Sequence, residues 1–166
     1  LHAELKERSD RQAIGVFGSN LSQLLMTPPV TGMVLLGVDP AYRTGCKLAV
    51  IDQNGKFLAQ AVIYPVPPKN DYEGSKKVVL DLISKYGITG AAIGNGTASR
   101  ETQEFFARLN KEEKIGISYT VVSESGASVY SASKIGQTEY PDLDVTIRGA
   151  ISIAERLHNP MAAYVK

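Results

Sequence analysis

Apolar positions recur at helical spacing over residues 3 to 26, where Leu5, Ala13, Ile14, Phe17, Leu21 and Leu25 alternate with charged side chains. This spacing predicts an amphipathic helix, which Pro28-Pro29 stops because proline cannot continue the backbone ladder. At Met33 the pattern changes. Met33-Val-Leu-Leu-Gly-Val-Asp39 is a short apolar run ending in an acid, the pattern of a strand buried on both faces. Lys47 to Asp52 predicts a second strand and Lys56 to Tyr64 a third. The Asn54-Gly55 pair between them predicts a tight hairpin with positive φ at both central positions. The first three strands therefore form an antiparallel meander.

Beyond Tyr64 the rhythm becomes an alternation of helices and strands. Glu73 to Tyr86 predicts a helix closed by Gly87, a natural left-handed cap. Ile88 to Ile93 is a strand leading into the turn Gly94-Asn-Gly96, and Ser99 caps a helix running to about Asn110. Ile117 to Val122 is a further buried strand, followed by helices over residues 126 to 135 and 143 to 158. The expected fold is α/β: a mixed sheet flanked by helices, with right-handed parallel crossovers.

A length of 166 residues suits one compact domain, with residues 1–30 as a connecting helix from an upstream helical region and 31–166 as the folded unit. Lys plus Arg number 18 against 17 Asp plus Glu, a net charge of +1, so nucleic-acid binding would depend on local placement or on other domains. The single cysteine, Cys46, excludes an internal disulfide and a multi-cysteine zinc site and reads as a core residue. His2 and His158 are the only imidazoles, which argues against a serine–histidine–acid triad. Without a signal peptide or a long apolar run, a cytoplasmic origin with no membrane contact is expected. The first residue is Leu1, not Met, which points to a piece of a longer protein.

Two carboxylates end strand runs. Asp39 closes the first, before the turn Pro40-Ala-Tyr-Arg-Thr-Gly45, and Glu124 follows the fifth in Val121-Val-Ser-Glu-Ser-Gly-Ala127. Functional groups of open α/β sheets gather outside the carboxyl ends of parallel strands, where two acids can clamp Mg²⁺ or Mn²⁺ against a phosphate. Each also has a local use, Asp39 as the cap of its own turn and Glu124 as a first-turn glutamate favoured by the helix dipole. Asp142 and Asp144 begin the last helix, where capping competes with service as a third acid. Gly94-Asn95-Gly96 leaves room for a phosphate at backbone N–H groups. Arg43, Arg100 and Arg148 flank these turns, as phosphate contacts or as partners of the acids.

Four segments carry a resemblance. They are Leu36-Gly-Val-Asp-Pro-Ala-Tyr-Arg-Thr-Gly-Cys-Lys47, Ala92-Ile-Gly-Asn-Gly-Thr-Ala-Ser-Arg-Glu-Thr102, Val122-Ser-Glu-Ser-Gly-Ala-Ser-Val-Tyr-Ser-Ala-Ser133 and Pro141-Asp-Leu-Asp-Val-Thr-Ile-Arg-Gly-Ala-Ile-Ser-Ile-Ala154. In this order they resemble the Tex family of bacterial transcription accessory proteins and, more distantly, the YqgF and RuvC resolvase-like domains. The resemblance implies a ribonuclease-H-like five-stranded sheet of order 3-2-1-4-5. It also implies a parent with RNA-binding domains outside this chain, acting on nucleic acid with the transcription machinery. Carried over, the acids of a resolvase site are Asp39 and Glu124 as metal ligands, with Asp144 as the third catalytic residue. Arg43, Asn95, Arg100 and Arg148, from their places in or beside the turns and not from the resemblance, are the candidate nucleic-acid contacts. The last resolvase acid stands about three residues before a pair of small residues, and counting back from Gly149-Ala150 reaches Thr146. YqgF proteins have Asp-Glu-Arg where this chain has Ser123-Glu-Ser125. The implied function is a nucleic-acid-associated module with a degenerate nuclease site, the alternative being an active Mg²⁺-dependent nuclease. An actin-like ATPase begins with the same meander but needs two lobes, and this length holds one.

Overall fold

A computed structural model describes residues 4–12, 14–15 and 32–161. The first described residues are helical (α1, residues 4–12 and 14–15); the remainder of the helix expected to residue 26 lies outside the described residues. From Leu35 the order is β1 (Leu35–Asp39), β2 (Cys46–Ile51), β3 (Phe57–Ile63), α2 (Tyr72–Tyr86), β4 (Gly90–Gly94), α3 (Ser99–Glu113), β5 (Ser118–Val122), α4 (Ala127–Ala132), α5 (Lys134–Glu139) and α6 (Val145–His158). The strands form one sheet of order β3-β2-β1-β4-β5. β1 pairs antiparallel with β2, and β2 with β3, while β4 lies parallel to both β1 and β5. The expected order and directions are those observed.

The period-two pattern of β1 divides the core. Leu36 and Val38 face α2 and α3, joining Leu48, Val50, Ile93, Phe105, Phe106 and Leu109. Leu35 faces the opposite way, joining Ala49, Ile51, Ile147, Ala150, Ile151 and Ala154 under α6. The first layer is anchored by Phe106, fully buried, whose ring meets Phe105 edge-on at 5.3 Å between centroids, a favoured aromatic arrangement. Cys46 is buried in this layer, as its strand position implies.

Four local expectations change. β5, expected to be buried, is an edge strand on which Ser118, Thr120 and Val121 are exposed, Ile117 before it being the buried residue. The β2–β3 turn has positive φ at Gly55 alone. Asp52 explains why: its Oδ1 accepts from the N–H of Asn54 and of Lys56, so an Asx-type turn replaces the two-residue mirror turn. Ser99 is the first residue of α3 and not its cap; Ala98 holds that place with φ of 64° and no side-chain hydrogen bond. The helix expected over 126–135 is two short ones. Ser133 is extended between them, and its Oγ accepts from the Gly136 N–H at 3.2 Å, capping the second. Gly87 closes α2 with φ of 65°, as expected.

α6 reaches the centre of the sheet because β1 carries glycine at position 37. A Cβ there would stand 2.0 Å from the Ala150 carbonyl oxygen and 2.9 Å from the Ala154 methyl. No side chain fits, so the helix backbone lies directly on the strand. That contact sets the first turns of α6 beside the end of β1.

Candidate active site

β1, β4 and β5 run parallel, and their carboxyl ends form one edge of the sheet. Asp39 ends β1 on the α6 side, its Oδ2 3.4 Å from where a Cβ on Gly149 would lie. Glu124 follows β5 by two residues, and its backbone is pinned on both sides. Its N–H donates to Asn95 Oδ1 at 3.0 Å, and its carbonyl accepts from Ala127 at 2.9 Å. The Asn95 N–H in turn donates to the Val122 carbonyl at 3.0 Å. The side chain of Glu124 folds back over the end of β4, where Cβ atoms on Gly94 and Gly96 would fall 2.0 Å and 2.2 Å from its carboxylate oxygens. These glycines therefore make room for a carboxylate of the same chain, in the space the sequence offered to a phosphate.

Asp39 and Glu124 share a cleft of about 220 Å³, walled by Ala127, Ser128 and Ser131 of α4 and by Val145, Thr146, Gly149 and Ile153 on or beside α6. Burial and the neighbouring Glu124 charge raise the Asp39 carboxyl to about 6, against a smaller opposing pull from Lys47. Glu124 Oε1 is buried with no hydrogen-bond partner, and an orphaned carboxylate oxygen is costly to keep dry. Two carboxylates facing one cleft, one with an unused oxygen, suit a single divalent cation. Among the described residues, no group of three or more His, Cys, Asp or Glu side chains is arranged to hold a metal.

Asp144 stands outside this cleft. It caps α6, accepting from the Thr146 N–H at 2.8 Å and from Thr146 Oγ1 at 2.6 Å, and these bonds hold its carboxyl below the usual range. The expected contact residues are dispersed. Arg43 is exposed on the β1–β2 turn. Arg100 is exposed on α3, 3.3 Å from Glu104. Asn95 braces the Glu124 backbone. Arg148 is 8% exposed and donates to the Tyr140 carbonyl at 3.3 Å.

Arg156, which the sequence did not mark, donates to the Ser125 carbonyl at 2.5 Å; burial lowers its guanidinium below the ordinary arginine range, and the Glu124 charge offsets this only in part. Thr146, Gly149, Ile153 and Arg156 follow one another at intervals of three and four. That spacing marks one face of a helix, but it does not say which face meets the acids.

The sheet order, the parallel edge and the acid closing the first strand define the ribonuclease-H-like class of α/β proteins. RuvC of Thermus thermophilus, solved with a Holliday junction substrate, matches with a TM-score of 0.57 over 80% of this chain and 94% of that one, at 15% identity. The chain belongs to the family described as the Tex protein YqgF-like domain, whose model matches residues 33–158. It is 49% identical to YdcI of Bacillus subtilis over all of this chain and 23% of that protein. It is 45% identical to the transcriptional accessory protein Tex of Neisseria gonorrhoeae over 98% of this chain and 21% of that protein. The chain thus spans about a fifth of the length of these relatives.

Proposed function

We propose that this chain is the nucleic-acid-associated module of a transcription accessory protein, and that its acid pair is the remnant of a phosphoryl-transfer centre. The observation that carries the reading is the face α6 turns to the cleft. Thr146 and Gly149 stand beside Asp39 and Glu124, while Asp144, the nearest acid on that element, is spent on the helix cap. The Tex name of the relatives supports the transcriptional setting, and the junction bound by the RuvC neighbour supports the nucleic acid. Residues 1–30 belong in this reading to a connection with the rest of the longer protein, whose further domains and transcription partners complete the binding.

Asp39 and Glu124 would hold one Mg²⁺ or Mn²⁺ ion, which would supply positive charge against a phosphate. The protein's own contribution is positional: Asn95 and the glycines at 94 and 96 fix Glu124, and Gly37 brings α6 close enough to exclude water from one side of Asp39.

The test compares the chain with its Thr146→Asp variant, which returns an acid to the cleft. Calorimetry should show Mn²⁺ binding tightened by about tenfold, roughly 1.4 kcal/mol, and lost in Asp39→Asn. Labelled junction DNA and structured RNA should stay intact with wild type. Cleavage by wild type that disappears in Asp39→Asn would establish the active nuclease instead, and overturn the degenerate reading.

A further inference from the structure

The acid cleft shares one wall residue with a second depression. That residue is Thr146, and the second depression, larger at about 580 Å³, is lined also by Thr44, Lys47, Gln60, Val62 and Asp144. The two meet at the first turn of the helix. The floor of the second lies on β3, since α6 packs mainly over β1, β2 and β4. Gln60 and Val62 stand on β3 opposite Ala49 and Lys47, and Val62 is 39% exposed.

One end of this groove is basic. The Lys47 ammonium donates to the carbonyls of Thr44 and Gly45, which fixes its charge at the groove wall. The Gly45 backbone packs so tightly there that a Cβ would lie 2.6 Å from the Tyr64 ring and 2.8 Å from Val62. Over that ring, 3.6 Å from its centroid, sits the Lys69 ammonium. Arg43 is exposed on the same β1–β2 turn. Lys47 thus lines the groove itself, with Arg43 four residues before it and Lys69 beyond it over the Tyr64 ring that abuts Gly45 and Val62's strand. The acid within the groove, Asp144, is engaged by Thr146 and faces Lys47 and Arg148.

We propose that this groove is the track of a single nucleic-acid strand, with phosphates along Arg43, Lys47 and Lys69 and sugars and bases over Gln60 and Val62, entering the acid cleft at Thr146. The inference rests on the nucleic-acid reading above and adds its path and strandedness. A cationic rim beside a neutral, partly apolar floor is the division an unpaired strand needs, since phosphates carry charge and unstacked bases carry apolar surface.

Fluorescence anisotropy tests this on the 166-residue chain, with labelled single-stranded RNA, single-stranded DNA and duplex DNA about twelve nucleotides long, enough to run past one binding site. Gln60→Glu and Lys69→Glu should each weaken single-strand binding by about threefold or more, and Lys69→Glu should lower the salt slope by about one. Lys111→Glu, with the same charge change as Lys69→Glu but exposed at the far end of α3, should match wild type. Single strands bound by wild type, but equally well by both groove variants, would overturn the track, leave the nucleic-acid reading standing and assign the groove to a protein segment. Duplex bound more tightly than single strands would overturn the strandedness. No binding of any oligonucleotide at low salt would overturn the nucleic-acid reading itself, and the track with it.

Discussion

At the residue scale the acid pair is set by burial. Asp39 titrates near 6 in the fold, above the ordinary aspartate range of the unfolded chain, so folding takes up a proton between about pH 4 and 6. The sign follows: this carboxyl favours the folded state as pH falls through 6, and opposes it when ionised above. Complete linkage would be about 3 kcal/mol, and the partial exposure of the side chain brings it to about 1–2 kcal/mol. Asp39→Asn should therefore raise the melting temperature at pH 8, with the gain shrinking towards pH 5. An equal gain at both would show that the carboxyl is not destabilised by its surroundings. Asn95 is a second test at this scale. Losing its bond to the Glu124 N–H, Asn95→Ala should cost about 1 kcal/mol in urea denaturation and weaken Mn²⁺ binding. Unchanged Mn²⁺ affinity would show that Glu124 needs no such brace.

At the scale of elements, α6 organises the site. One face of it supplies Ile147, Ala150, Ile151 and Ala154 to the core, while another sets Thr146, Gly149 and Ile153 against the acids. Both depend on the missing side chain at position 37. Gly37→Ala meets backbone at Ala150, which cannot swing aside as a side chain would. The helix must lift, and we expect about 3 kcal/mol of lost stability with loss of Mn²⁺ binding. An unaltered urea midpoint would mean that α6 is free to shift on β1.

For the molecule as a whole, a net charge of +1 gives little general attraction for nucleic acid, so the contact proposed above would rest on local cations. Binding by this chain should be weak and fall steeply between about 50 and 200 mM salt. Sub-micromolar affinity unchanged by salt would contradict a phosphate-led contact. Among the described residues, no helix is long and apolar enough to cross a membrane.

The sheet order was legible because the central strands β1, β2 and β4 are short buried runs bounded by turns, and because the resemblance supplied the connectivity. The places of Asp39 and Glu124 were legible too, because an acid at the end of a strand, or just past it, emerges at the sheet edge. The α6 residues were not. Adjacent helical positions are turned by about 100°, so the choice between Asp144 and Thr146 depended on where the helix begins. Only the folded cap, with Asp144 bonded to Thr146, settled that phase. Arg148 and Arg156 are likewise alike in sequence, yet one is bonded to Tyr140 and the other to Ser125. The sequence by itself determined the order of elements and the two acids at the strand ends, because periodicity and chain termini of strands are local properties. The tertiary structure alone decided what faces the acids, since that rests on the depth to which α6 sinks onto Gly37 and on the rotation at which Asp144 stops it.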